Sequence, residues 1–404
     1  MPAPSDPFAR RLLAWLRSSQ PEMEALLVAL VERESPSTDA ASQRPVQAVL
    51  GGALRALDFE PLVVPGRETG GYLYASPLDR PKRRPIQLLV GHSDTVWPRG
   101  TLRGMPAERV DGQLRGPGAY DMKGGLVQML FALRALRALD AWPELPPVVF
   151  VNADEEVGSP ESSAALVRLA RCADRAFVLE PALGLEGRLK TRRKGVGRFT
   201  VRAIGKAAHA GLDPGKGASA IVELAHVIQR LHALNDPARV LTVNVGTIEG
   251  GLRSNVVAPE SRAVVDVRVP TEAAAREIEA AIHGLTATTP GVRLVVEGAV
   301  GRPPLEGTPR NRRLWAEAQA AAERLGLPIA EGTAGGGSDG NLTSLYTATL
   351  DGLGATGDGA HATHEYVEAD RMPERAALLA LLLLAAPISA SASAHRPATV
   401  AAAG

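Results

Sequence analysis

Three consecutive acidic residues at the end of an apolar segment give the first chemical signal in the sequence. Residues 147–151 have the composition of a buried strand, and Asp154, Glu155 and Glu156 follow before Gly158 turns the chain. Adjacent side chains on a turn point in different directions, so we expect Glu155 and Glu156 to act separately. One can hold a cation while the other faces what that cation binds. Taken alone, the triplet fits a solvated loop after a strand better, since most acidic triplets are of that kind.

Other polar residues also follow directly on apolar strands. His92 comes after residues 85–90, and Glu180 comes after residues 176–179. In open α/β sheets the ligand crevice lies outside the carboxyl ends of the strands. We therefore predict that His92, Glu180 and the acidic triplet converge on one edge of a sheet.

Two further residues complete a set that could bind metal. Asp121 lies in a glycine-rich turn, residues 116–125, and His361 lies on a loop beyond the last predicted strand. With His92, Glu156 and Glu180 they provide two imidazoles and three carboxylates, a mixture that suits zinc or a comparable divalent ion. One bridging carboxylate, with a histidine and an acid for each ion, would use all five in a paired centre.

The remaining polar residues near this set suggest catalytic and supporting roles. Glu155 stays outside the ligand set and could act as general base and then as acid towards a leaving amine. Asp94, two residues after His92, is placed to accept the other ring N–H of that histidine and to fix its orientation.

The elements that must position these residues change in character along the chain. Up to residue 192, helical periodicity alternates with continuous apolar strands, which indicates an α/β catalytic domain whose mixed, largely parallel sheet is flanked by helices. Residues 193–302 show alternating strands in the order β-α-β-β-α-β, typical of an inserted α+β domain of ferredoxin-like type. The first pattern resumes over 303–388, and residues 389–404, rich in Ala and Ser, are predicted to be a disordered tail.

Composition narrows the class of protein. The chain has 404 residues, for which two domains are the prior expectation, and 45 basic against 44 acidic residues give a net charge of +1. That balance argues against nucleic acid or an anionic membrane as the main partner. The apolar run 376–386 is too short for a membrane span, residues 1–20 do not resemble a signal peptide, and a cytoplasmic protein is expected. The single cysteine, Cys172, is expected to be a buried, inert thiol.

Six segments together resemble the M20 metallopeptidase family, most nearly the glutamate carboxypeptidases of the carboxypeptidase G2 type. Each segment would be weak evidence alone, but they occur in the right order across about residues 20–385. They are residues 92–96, 118–125, 154–159, 179–181, 205–211 and 361–367.

The resemblance implies a particular metal centre. It assigns one zinc ion to His92 and Glu180 and another to Glu156 and His361, with Asp121 as the bridge; Co²⁺ or Mn²⁺ are possible substitutes. Glu155 would be the catalytic carboxylate and Asp94 the orienting one. The Asp121–Met122 peptide bond is expected to be cis, and His361 is preferred over His364 as the ligand.

The resemblance also implies a homodimer formed through the inserted domain. In such a dimer His209 would reach the partner's active site and steady the oxyanion. Five further positions correspond to the family's substrate-binding residues, and an arginine among them would hold a substrate carboxylate with two parallel hydrogen bonds. These positions are Asn255, Arg268, Arg302, Gly336 and Ser338.

These observations predict a dinuclear zinc-dependent hydrolase that cleaves an amide bond and releases a C-terminal amino acid. In this hypothesis a metal-bound hydroxide attacks and Glu155 moves the proton, with a small peptide or an N-acyl amino acid as substrate. An N-acyl-amino-acid deacylase, of aminoacylase or acetylornithine deacetylase type, would use the same metal residues. A non-catalytic metal-binding scaffold is the alternative of another class, and it predicts a broken ligand set or a replaced Glu155.

Overall fold

The computed structural model describes residues 6–81 and 84–388, so the predicted tail at 389–404 lies outside the described residues. The chain forms two compact units. The first is built from the residues up to Thr191, from Gly307–Gly332 and from Ser338 onwards, and the second from Arg192–Glu306 with Thr333–Gly337. The division into catalytic and dimerisation domains remains a prediction about function.

The helices and strands follow in chain order. The α-helices are α1 (Pro7–Ser18), α2 (Gln20–Val31), α3 (Ala40–Arg55), α4 (Gly124–Ala138), α5 (Ser163–Ala170), α6 (Ala220–His232), α7 (Glu272–His283), α8 (Pro309–Leu325), α9 (Asp339–Thr343) and α10 (Met372–Leu383). The strands are β1 (Phe59–Val64), β2 (Tyr72–Pro77), β3 (Ile86–His92), β4 (Glu108–Val110), β5 (Gln113–Arg115), β6 (Pro147–Asn152), β7 (Ala173–Val178), β8 (Leu189–Arg193), β9 (Gly195–Ile204), β10 (Thr242–Gly250), β11 (Glu260–Val269), β12 (Arg293–Arg302), β13 (Glu331–Ala334), β14 (Ala348–Leu350), β15 (Gly357–Asp358) and β16 (Tyr366–Glu368).

A six-stranded mixed sheet, in the order β1-β2-β6-β3-β7-β14, forms the centre of the first unit. The pairs β3–β6, β3–β7 and β7–β14 are parallel, whereas β1–β2 and β2–β6 are antiparallel. Every residue of β3 and β6 is buried, as continuous apolar strands covered on both faces require. The predicted α/β class is confirmed.

Buried helices cover this sheet. The apolar run at 376–386 lies mostly in α10, whose residues from Ala376 to Leu383 are all buried. Helix α1 is amphipathic and buries Leu12, Leu13 and Leu16. It is capped by Asp6, whose carboxylate accepts the Phe8 N–H. Among residues 6–81 and 84–388, none of the helices has both the length and the hydropathy that crossing a bilayer requires.

The first unit has a second, small sheet with the strand order β15-β16-β5-β4. Loops that adjoin its strands carry two of the candidate site residues. Strand β16 pairs antiparallel with β5, so that Val367 lies opposite Leu114, and both residues are buried. The loop before β16 carries His361, and the turn after β5 carries Asp121. This sheet therefore joins two segments that are far apart in sequence.

The second unit has the predicted β-α-β-β-α-β order. Its sheet, β10-β11-β9-β12, is antiparallel throughout. Alternate residues of β9, including Phe199 and Val201, are buried in one apolar cluster with Leu224 and Val227 of α6 and Ile278 of α7. The inserted ferredoxin-like fold is confirmed.

The prediction for Cys172 was wrong. Helix α5 ends at Ala170, and Cys172 lies in the turn before β7 with its side chain exposed. The helical periodicity of this stretch continues past the true helix end, which is why the residue was expected to be buried.

Candidate active site

Three side chains from different elements meet at the carboxyl edge of the large sheet. His92 is the last residue of β3, Asp121 lies just before α4, and Glu180 follows β7. The Nε2 atom of His92 is 3.3 Å from Asp121 Oδ1 and 3.5 Å from Glu180 Oε1. All three belong to the first unit.

A second group shares Asp121 with the first. His361 Nε2 lies 3.4 Å from Asp121 Oδ2 and 3.2 Å from Glu156 Oε2. Asp121 therefore directs one carboxylate oxygen to each group. Its Oδ1 is buried without a hydrogen-bond partner in the described part of the chain.

The donor atoms of both groups fit a metal ion. Ligands bound tetrahedrally at 2.0–2.2 Å stand about 3.4 Å from one another. The His–carboxylate separations of 3.2 to 3.5 Å match that spacing. In each group the three donor atoms lie within 4.8 Å of one another. The two groups can hold two divalent ions with Asp121 between them. His92, Asp121 and Glu180 form one metal group, and Asp121, Glu156 and His361 form the other.

Electrostatics agree with a site made for cations. Hydrogen bonds to Asp121 and Glu156 raise the pKa of His361 to about 10. Burial opposes the charged form of His92, yet its contacts with Asp121, Asp94 and Glu180 raise its pKa. Burial likewise opposes the ionised form of Asp121, but the two imidazoles outweigh it and lower the pKa of that carboxyl. Positive charge is thus strongly favoured here, whether as protons or as metal.

The ring of His92 is oriented for ligation. Its Nδ1 lies 3.0 Å from the main-chain oxygen of Asp94 and 3.4 Å from the Oδ1 of the same residue. A carbonyl oxygen can only accept, so Nδ1 carries a proton, and Nε2 of the neutral ring would have its lone pair free for an ion held with Asp121 and Glu180.

Asp94 also fixes the acidic turn that follows β6. Its fully buried carboxylate accepts the N–H of Glu155 at 3.3 Å and of Glu156 at 3.2 Å, together with the Ser37 hydroxyl at 2.7 Å. The turn is a single 3-10 segment, Glu155–Val157, closed by Gly158 at φ 96°. Glu155 and Glu156 are half-buried neighbours on it, and only Glu156 belongs to a metal group.

The Asp121–Met122 peptide bond is cis. Asp154, the first acid of the triplet, is fully buried and accepts hydrogen bonds from Ser162 Oγ and from the Glu161 and Ser162 N–H groups. Asp154 therefore holds the loop together and does not face the metal groups.

In the second unit, two of the predicted residues lie side by side. His209 and Asn255 are exposed on paired segments, where the Ala210 N–H donates to the Asn255 carbonyl at 3.0 Å. His209 Nδ1 accepts the N–H groups of Gly211 and Leu212, both at 3.1 Å. The neutral ring therefore carries its proton on Nε2, the nitrogen that can donate to an oxyanion.

Two predicted arginines lie on either side of Val196 in the second unit's sheet. Arg268 of β11 and Arg302 of β12 both pair with it. Arg268 forms a two-pronged ion pair with Asp266 at 2.8 and 3.0 Å. The stem of Arg302 passes close to Gly337, where an added Cβ would come within 2.6 Å of its Cδ.

The predicted substrate loop contains Gly336 and Ser338. The Gly336 carbonyl accepts from Arg193 Nη1 at 3.2 Å within the second unit. Ser338 belongs to the first unit and is fully buried. Its hydroxyl donates to Asp351 at 2.6 Å and accepts the Gly340 N–H at 3.0 Å, which makes it the N-cap of α9.

Comparison with known proteins places the chain in a family. Its sequence matches the peptidase family M20/M25/M40 over residues 88–385. The chain belongs to this family. It is a hydrolase, and it is 30% identical over 306 residues to carboxypeptidase G2 of Pseudomonas sp. (strain RS-16), covering 74% of this chain and 73% of that protein.

Two other proteins resemble this M20 peptidase, one in sequence and one in fold. Acetylornithine deacetylase of Myxococcus xanthus is 33% identical over 192 residues, which cover 45% of this chain and 48% of that protein. The structure of the YXEP protein of Bacillus subtilis, described as a dinuclear metal-binding peptidase of the M20 family, has the same fold. Its TM-score is 0.68 at 14% identity, over 91% of this chain and 98% of that one.

One residue of this M20 peptidase's site was not singled out from the sequence. Glu365 is buried beside Asp121 and accepts its N–H at 3.0 Å. Its place four residues after His361 is visible in the sequence, but the spacing alone does not show that the carboxylate faces main-chain donors.

Proposed function

We propose that this M20 peptidase is a dinuclear zinc-dependent hydrolase that cleaves an amide bond and releases a C-terminal amino acid. The observation that carries the proposal is the shared carboxylate of Asp121, which gives one oxygen to each of two histidine-containing groups. The intact ligand set and the presence of Glu155 argue against a non-catalytic scaffold.

Each ion would have its own histidine and acid. His92 and Glu180 would hold one, Glu156 and His361 the other, and Asp121 would bind both. Bound in this way, the ions would polarise the scissile carbonyl and make a water molecule more acidic. The chain itself supplies the fixed positions, because Asp94 orients both the His92 ring and the acidic turn.

In this mechanism Glu155 is the proton carrier. It is next in sequence to Glu156, which belongs to a metal group, but it belongs to neither group itself. Its N–H donates to the Asp94 carboxylate at 3.3 Å, which fixes its main chain. Glu155 would take a proton from the attacking water and return it to the departing amine, which is the work of a general base and acid.

The second unit would bind the substrate and complete the site of a partner subunit. Arg302 and Arg268, with Asn255, would hold the substrate's free carboxylate, and Gly336 would line the same region. His209, exposed and with Nε2 protonated in its neutral form, would donate to the oxyanion in a homodimer. Ser338 would act indirectly through its N-cap, which fixes the end of this loop.

A substrate screen separates the proposed activity from the runner-up. The zinc-loaded protein is incubated with peptidyl-amino acids and N-acyl amino acids, and the released amino acid is identified. Faster release of the C-terminal amino acid from peptidyl-amino acids supports a carboxypeptidase. Faster cleavage of N-acetyl amino acids would favour the deacylase. The sequence similarity to an acetylornithine deacetylase is the reason for including this alternative.

Substitution of Glu155 tests the proton carrier. We expect Glu155→Ala to lower kcat by about 10²–10⁴-fold, because a general base contributes that much, while two zinc ions remain bound. Zinc content and steady-state rates are measured on the same preparation. Glu32→Ala, which changes an exposed acid at the end of α2, is the control and should retain full activity. Full activity of Glu155→Ala would remove the proposed base.

A further inference from the structure

Glu365 is a buried carboxylate whose two oxygens meet four hydrogen-bond donors. It has no exposed surface, and it directly precedes β16. Its Oε1 accepts the N–H groups of Tyr120 at 2.9 Å and Asp121 at 3.0 Å. Its Oε2 accepts the Gly118 N–H at 3.0 Å and the Trp97 indole N–H at 2.9 Å.

This pattern of donors requires an acceptor at both oxygens. An ionised carboxylate accepts only and offers about four lone-pair positions, which is the number of donors present. An amide of the same shape has one accepting end, so in either orientation its NH₂ would face two N–H groups. The site is therefore specific for Glu and not merely for a polar side chain of that size.

The donors belong to the segments that carry the metal groups. Three of them come from the turn that contains Asp121, and Trp97 follows His92 by five residues. The main chain of Glu365 also closes the loop of His361, since its N–H donates to the Ala362 carbonyl at 3.0 Å. His361 itself is held there at φ 61°.

We propose that Glu365 is a positioning residue that fixes the shared carboxylate of Asp121 relative to His361 and His92. It acts on the main chain beneath Asp121, so it need not touch an ion or the substrate. This role rests on the proposed function, because it requires that the two groups form a paired metal centre.

The test compares two buried glutamates whose carboxylates each accept four hydrogen bonds. Glu223 of α6 is also fully buried and accepts four donors, from Thr288 N–H and Oγ1, Thr289 N–H and Arg230, but it belongs to the second unit. Metal-free wild type, Glu365→Gln and Glu223→Gln are titrated with zinc alone against a chelating dye, and their melting temperatures are recorded.

Both variants should melt at lower temperature, because each leaves buried donors without an acceptor. Only Glu365→Gln should lose zinc affinity, by about 10–100-fold, the usual effect of removing a group that supports a metal ligand, while Glu223→Gln should stay within about twofold of wild type. Wild-type zinc affinity in a folded Glu365→Gln would overturn the inference, as would an equal loss in both variants.

Trp97→Phe is a second variant that tests the same contacts if Glu365→Gln does not fold. It removes one donor of the four and should lower zinc affinity by a few-fold. If Glu365→Gln is unfolded and Trp97→Phe binds zinc as wild type does, the inference is wrong. Zinc uptake without hydrolysis by the wild type would reject the proposed function alone, and absence of zinc uptake would reject both.

Discussion

At the scale of single residues, buried or half-buried carboxylates in this protein repeatedly accept main-chain N–H groups. Asp94, Asp154 and Glu365 do so next to the candidate site. Glu161, which belongs to neither metal group, also does so: it accepts the N–H groups of Arg67, Glu68 and Thr69 and the Thr69 hydroxyl. Such carboxylates fix loops that have little apolar surface to bury.

Glu161 leads to a prediction about pH. The Thr69 hydroxyl and the three N–H groups lower its pKa from 4.5 to about 2. A carboxyl with a lowered pKa stabilises the fold fully above its unfolded value, and the contribution is lost as pH falls towards the folded value. Glu161→Gln should therefore reduce the free energy of unfolding by about 1–2 kcal/mol at pH 7, and the difference from wild type should shrink between pH 5 and about pH 2.5.

Urea unfolding across this pH range measures the effect. Glu60→Gln, an exposed acid on β1, is the control and should show no comparable pH-dependent difference. A Glu161→Gln deficit that stays constant down to the lowest pH would contradict the assignment.

The sequence predicted which residues meet in the two candidate metal groups, but it did not predict the contacts of Glu365. His92, Glu156 and Glu180 follow apolar strands, and parallel strands bring their carboxyl ends to one edge. The role of Glu365 depends on main-chain donors that lie 244 to 247 residues away in sequence. No local pattern encodes such a contact, because any turn exposes N–H groups.

At the scale of elements, the long periodic helices and the continuous apolar strands could be predicted, whereas the short strands could not. Strands β4, β5, β15 and β16 contain two or three residues each, too few for a hydrophobic period to be recognised. They nevertheless form the sheet that connects the loop of His361 with the turn of Asp121. Whether neighbouring strands of the large sheet run parallel or antiparallel also depends on pairings that a strand's own sequence does not specify.

One turn carries strain that a substitution should relieve. Val240 lies before β10 at φ 59°, a left-handed conformation that disfavours β-branched residues, and its side chain is 52% exposed. Val240→Asn should raise the free energy of unfolding by about 1 kcal/mol, because Asn tolerates this conformation and little packing is lost. Guanidinium unfolding monitors the change.

Val222→Asn is the matched control for this turn. Val222 is similarly exposed, at 47%, but it lies in α6 with ordinary helical geometry. It should give no gain in stability. An equal gain in both variants, or none in Val240→Asn, would show that the backbone at Val240 is not under strain.

At the scale of the whole molecule, the first unit is discontinuous in sequence and contains every residue of both metal groups. The second unit contains His209, Asn255, Arg268 and Arg302. The proposed homodimer assigns these residues to substrate binding and His209 to the partner's site. Neither assignment could come from composition or periodicity, because both concern surfaces and not cores.

Complementation tests the shared site. His209→Ala and Glu155→Ala should each be nearly inactive, and mixing them should restore part of the activity, because a mixed dimer has one site with both residues intact. Size-exclusion chromatography of each variant establishes the oligomeric state, and each variant mixed with itself is the control. Failure of the mixture to regain activity, under conditions where subunits exchange, would contradict the proposal.

The position of His361 after the second unit in sequence has a consequence for synthesis on the ribosome. All four strands of the second unit's sheet have been translated by Arg302, whereas β14, the loop of His361 and α10 are still to come. A nascent chain at that stage has His92, Asp121, Glu156 and Glu180 but lacks the other imidazole and α10, one of the helices that cover the sheet. The second of the two candidate metal groups can therefore form only after His361 has been translated.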